Sequence, residues 1–90
     1  MVITEENKEI IINSGAFGYK PDVIASLLQV DVKIIEDQFK GKSEFKTLYE
    51  FGRNMAKYKI DLKLFEMAKN GDVKAMQQFE INKMINNGEA

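Results

Sequence analysis

Leu48, Phe51, Met55, Tyr58, Leu62 and Phe65 follow one another at intervals of three, four, three, four and three. That alternation puts every member on one stripe of an α-helix, whereas strand side chains change face at each residue. The two-per-heptad rhythm belongs to a helix that packs lengthwise on another helix. A second apolar row, Phe45, Tyr49, Ala56, Ile60 and Leu64, runs along a neighbouring side and is interrupted by Gly52. Strand-like alternation is nearly absent elsewhere and only one Pro occurs. The fold class expected is therefore all-α.

The rest of the chain punctuates itself. Thr4 can cap a first helix, with Glu5 and Glu6 placed well for its dipole. That helix is expected to stop near Asn13-Ser14-Gly15, where Gly permits a left-handed closing residue. Pro21 fits the first turn of a second helix carrying Ile24, Ala25, Leu27 and Leu28. Asp31 caps a third helix with Ile34, Ile35 and Phe39 as its apolar residues, and Ser43 can cap the long helix. Asn70-Gly71-Asp72 ends that helix and starts the last one, which carries Val73, Met76, Phe79 and Ile81/Met84. The organisation expected is an N-terminal trihelical helix-turn-helix unit over residues 1–42, then a long helical hairpin over 43–90.

The helix-turn-helix reading rests on spacing within PDVIASLLQVDVKIIEDQFK, residues 21–40. Such a motif needs a small residue where its helices cross, supplied by Ala25. It also needs apolar residues at Leu28, at the turn (Val30) and in the second helix (Ile35). Gln29 stands where Gly is common, so an altered turn is expected. The outward residues of the second motif helix are then Asp31, Val32, Lys33, Glu36, Asp37 and Lys40. Base-edge reading relies chiefly on Arg, Lys, Asn and Gln, so a face richer in acids than bases should grip DNA feebly.

Charge is distributed unevenly behind a net of −1. Residues 1–39 sum to −4, residues 40–63 to +4 and residues 64–90 to −1. On a helical wheel Lys42, Lys46, Arg53 and Lys57 fall within roughly 60°, away from the heptad-like row. Such asymmetry is a better guide to partners than the total. The DNA-binding candidates are accordingly Val32, Lys33, Lys40, Lys42, Lys46, Arg53 and Lys57, with the cations of the basic middle segment meeting phosphates.

Several classes are disfavoured. There is no Cys and no His, which removes thiolate sites, disulfides and the usual general base. NSGAFGYK lacks the Lys-Ser/Thr that follows a phosphate-binding loop. Glu5-Glu6 and Glu36-Asp37 are sequence neighbours, so they project in different directions and cannot pair on one substrate. No enzyme activity, cofactor or metal is expected. The acidic, short N-terminal segment is unlike a signal peptide and no apolar run approaches a membrane span. A cytoplasmic protein without membrane contact is the expectation.

The long helix has more apolar surface than a shorter last helix can cover, and uncovered apolar surface signals association. A homo-oligomer joined through Leu48, Phe51, Met55, Tyr58, Leu62 and Phe65 is expected, in which weak DNA grips add up. The order of IASLLQV followed by LYEFGRNMAKYKIDLKLFEMAKNGDVKAM resembles the small terminase subunits of tailed phages and prophages. The matching residues are Gly52, Leu64, Ala68, Gly71, Asp72 and Ala75. The resemblance implies a helix-turn-helix on double-stranded viral DNA and a hairpin that builds a ring. It also implies a large ATPase-nuclease subunit as partner and a bacterial host cell as setting. Two departures from the pattern are the chain end at Ala90 and the acidic second motif helix. The alternatives are a dimeric helix-turn-helix transcriptional regulator and a helical protein-binding module without DNA contact.

Overall fold

The computed structural model describes residues 1–88. Residues 89–90, the end of the expected 43–90 segment, lie outside them. The described chain is all-α: α1 (Glu5–Phe17), α2 (Pro21–Leu28), α3 (Val32–Phe39), α4 (Glu44–Lys69) and α5 (Val73–Asn86).

The helix starts follow from side-chain oxygens that accept otherwise orphaned amide protons. Thr4 Oγ1 accepts from the Asn7 amide at 3.2 Å and Asp31 Oδ1 from the Lys33 amide at 2.8 Å. Asp72 Oδ1 accepts from the Ala75 amide at 2.9 Å. Ser43 does two jobs: its hydroxyl donates to the Gln38 carbonyl at 2.8 Å and accepts from the Lys46 amide at 3.0 Å. One hydroxyl thus starts α4 and ties it to the end of α3.

The helix ends hold a correction. α1 does not stop at Gly15 but runs to Phe17, and Gly18 closes it with φ 72°. The Gly18 and Tyr19 amides reach back to the Gly15 and Ser14 carbonyls at 3.3 and 3.0 Å, a Schellman closure. α2 closes the same way on Gln29, whose φ of 56° makes it the one non-glycine left-handed residue described. The Val30 amide bonds the Ala25 carbonyl at 3.0 Å and the Gln29 amide that of Ser26 at 3.3 Å. A left-handed non-glycine residue costs about 1–2 kcal/mol, and glycine there adds about 0.5–1 kcal/mol of unfolded-chain freedom. Gln29→Gly is therefore expected to raise stability by about 0.5–1 kcal/mol in urea unfolding. A loss would mean that the turn is not left-handed in solution.

Two compact units are present, Met1–Ala56 and the residues from Lys57 onward. The sequence division at 42/43 puts the break at the start of α4, but the early turns of α4 belong to the first unit's core. Ile11, Ile24, Ile35 and Phe45 are fully buried there and Ala25 nearly so, with Leu28, Val30, Phe39, Leu48 and Tyr49 packed around them. Phe39 meets Phe45 and Tyr49 edge to face at 5.2 and 5.0 Å, contacts worth about 0.5–1.5 kcal/mol each beyond area burial. The Tyr49 hydroxyl donates to the Tyr19 carbonyl at 3.0 Å, fixing the α1–α2 connection.

α1 and α4 touch backbone to backbone through two glycines. A Cβ on Gly15 would collide with the Tyr49 carbonyl, and a Cβ on Gly52 with the Ile12 carbonyl. Gly52, an interruption of the second apolar row by spacing alone, is a point of contact with α1. Phe45, Tyr49 and Gly52, on the first unit's part of α4, make the side that meets α1; Ile60, further along the same row, is exposed.

In the second unit α5 packs on the later turns of α4. Gly71 closes α4 with φ 93°. Phe65 and Phe79 rings lie 5.6 Å apart, and Ala75 is buried. The Asp61 carboxylate accepts from the amides of Asn82 and Asn86 at 3.2 and 3.1 Å.

Candidate nucleic-acid interface

The α2–α3 corner gives the expected outward set on α3. Asp31, Val32, Lys33, Glu36, Asp37 and Lys40 are all exposed, while Ile35 points into the core. Lys40 already has an anionic neighbour, since its ammonium lies 3.3 Å from Asp37. An exposed pair of this kind is worth about 0–1 kcal/mol, so a phosphate can displace the carboxylate at small cost. The net charge of the outward set is negative. Readout of bases from this surface has few donors to work with.

The basic residues collect just after it. Ser43 holds the α3–α4 corner shut through Gln38 and Lys46, and Lys40, Lys42 and Lys46 are spaced along that corner. Lys42 precedes the Ser43 cap and is not on α4, so the helical-wheel angle applies to Lys46, Arg53 and Lys57 alone. Lys42, Arg53 and Lys57 are exposed and Lys46 is half-buried. Arg53 belongs to the first unit and Lys57 to the second. Of the candidate cations, Lys40, Lys42 and Lys46 thus belong to the corner and do not form a helix-long stripe. Among the described residues no three acidic side chains gather to hold a metal ion.

The residues expected to join copies divide. Leu48 packs on the first unit's core, and Met55 is half-buried. Phe51 is 52% exposed, on the side of α4 away from α1. Tyr58 and Leu62 are exposed in the second unit, and Phe65 keeps 43% of its surface in water despite Phe79 and the Lys69 ammonium 4.8 Å above its ring. The row is not one seam: its first member serves the chain's own core, and its last members stay open to solvent.

Sequence reasoning missed the outward apolar residues of α5. Val73, Met76, Ile81, Met84 and Ile85 are exposed, whereas Ala75, Phe79 and Asn82 face inward. The available signal was Asn82 and Asn86, which share the Ala75–Phe79 side at helical spacing and give Asp61 its partners. No helix among the described residues is long and apolar enough to cross a membrane. No protein-family model matches this chain, and no curated protein or solved structure matches it.

Proposed function

We propose that this chain is a non-enzymatic DNA-recognition subunit that acts as a homo-oligomer, in the role of a small terminase subunit in phage DNA packaging. Its ligand is double-stranded DNA, and its protein partner is the large ATPase-nuclease subunit of the packaging motor. The observation that carries this reading is the α2–α3 corner, with Ala25 buried at the crossing and a left-handed turn at Gln29, followed at once by Lys40, Lys42 and Lys46. Such a corner places a short helix against a groove, and the adjacent ammonium groups meet phosphates without reading sequence.

Three phosphate contacts give a slope of log K against log salt of about −3 per subunit. Fluorescence anisotropy with a short duplex is expected to show binding that weakens steeply between 25 and 200 mM salt (approximate working range). Lys42→Glu with Lys46→Glu is expected to flatten that slope by about two, at roughly 0.9 per lost contact. Absence of binding at the lowest salt contradicts the reading.

One observation favours a second reading, a protein-binding module. Val32 and Ile34 are exposed on α3 beside Asp31, Glu36 and Asp37. An apolar surface rimmed with carboxylates suits a cationic protein segment better than DNA. It is the reading that remains if the salt titration finds no binding.

A further inference from the structure

The outward side of α3 is short of hydrogen-bond donors but not of acceptors, and acceptors also tell bases apart. At 100° per residue, Lys33 and Asp37 each lie about 160° from the buried Ile35, and Lys40 about 140°. These three form the outermost row, in which the Lys40 ammonium lies 3.3 Å from the Asp37 carboxylate. Val32 and Glu36, four residues and about 40° apart, form the row beside it. Both are exposed, Val32 at 38%. Among the described residues the ion pairs are Lys8–Glu5 and Lys40–Asp37, so the Glu36 carboxylate is unmatched.

An unmatched carboxylate beside an aliphatic side chain has a narrow choice of partners in a major groove. Guanine presents two acceptors there and thymine one, and each repels it. Adenine presents a donor with an acceptor next to it, so attraction and repulsion oppose each other. Cytosine presents its N4 amino group with no acceptor alongside. The apolar feature of the same groove is a pyrimidine 5-methyl group, which is what an aliphatic side chain meets.

We infer that α3 selects a cytosine amino group lying next to a pyrimidine 5-methyl. Glu36 accepts from N4, and Val32 packs on the methyl. The methyl belongs to a thymine in the neighbouring base pair or to the cytosine itself, as 5-methylcytosine. This inference rests on the DNA binding proposed above and names the sequence chemistry that it selects. It also accounts for the acids. A carboxylate weakens the grip on every duplex that lacks its donor, which widens the gap between the preferred site and the rest. Lys40, Lys42 and Lys46 at the neighbouring corner supply attraction that is blind to sequence.

Selection from a randomised duplex pool by the full-length protein at low salt tests it. The bound sequences are expected to hold one position where cytosine is favoured about fivefold or more, the lower end for one base contact. Glu36→Gln is expected to move that position to adenine, whose N6 and N7 match the acceptor and donor of a side-chain amide. Glu36→Ala is expected to lose the cytosine preference without gaining another, and to bind unrelated duplexes at least as tightly as the wild type. Glu36 is exposed, and far-UV circular dichroism checks that both variants stay helical. The wild-type preference itself needs no variant.

Fluorescence anisotropy on the selected duplex then separates the two sources of the methyl. Uracil in place of the neighbouring thymine weakens binding about two- to fourfold in the first case. In the second, 5-methylcytosine in place of cytosine strengthens it by as much. Val32→Ala is expected to abolish whichever effect is found, and indifference to both methyls overturns the role of Val32. If duplexes are bound without a cytosine preference, or if Glu36→Gln keeps the wild-type preference, the inference is overturned while DNA binding stands. Recovery of no duplex at the lowest salt overturns the DNA-binding reading itself.

Discussion

Gly52→Ala is expected to destabilise the first unit by about 3 kcal/mol, the upper part of the range for overpacking. Helix propensity alone gives the opposite sign, since alanine in a helix interior is favoured over glycine by about 1 kcal/mol. The reason is that the new methyl meets the Ile12 carbonyl of α1 rather than a movable side chain. Rotation about a side-chain bond cannot relieve this, so α1 and α4 must separate. Separation loosens Ile11 and Phe45 together, because both belong to the one buried cluster. Gly15→Ala makes the reciprocal clash with the Tyr49 carbonyl. Gly41→Ala is the control: nothing lies near a Cβ there and its backbone is not left-handed, so a change within about 0.5 kcal/mol is expected. Urea unfolding at fixed protein concentration reads all three. A stabilised Gly52→Ala protein would mean that the two helices do not touch as described.

The second large effect is at Phe45. Its side chain is wholly buried and meets the Phe39 ring edge to face at 5.2 Å. Phe45→Ala removes the residue through which α4 enters the trihelical core, and such truncations cost about 3–5 kcal/mol. A domain of this size leaves about 5–15 kcal/mol in total, so the variant is expected to be partly unfolded or to melt far below the wild type. Phe45→Leu keeps most of the volume and should retain the cooperative transition, with a loss nearer 1–1.5 kcal/mol. The two together separate volume from ring contact. A small effect of Phe45→Ala would place the core elsewhere.

These effects show where the sequence is legible and where it is not. Caps at Thr4, Asp31, Ser43 and Asp72 are readable because each depends on a local side chain and its own next turn. The helix-turn-helix spacing around Ala25 and Val30 is readable for the same reason. Gly15 and Gly52 are misread as a stop and an interruption, since periodicity treats glycine as a missing side chain. Their value lies in a partner helix far away in sequence, which no local rule contains. The apolar residues of α5 illustrate a second gap. Spacing tells which residues share a side of a helix, but not whether that side turns inward. In α5 it is the Asn82 and Asn86 side that turns to Asp61. The wheel position of Lys42 is wrong for a third reason, because the Ser43 cap leaves it outside α4.

The DNA-packaging role proposed for this chain requires that exposed apolar residues such as Phe51, Tyr58 and Leu62 be covered by further copies, so that weak phosphate grips add. Native mass spectrometry of the untagged protein, with and without duplex DNA, addresses this directly. One discrete species larger than a dimer is the expected outcome, persisting with duplex bound. A chain that flies as a monomer across the micromolar range, with its hydrophobic residues left in solvent, contradicts it.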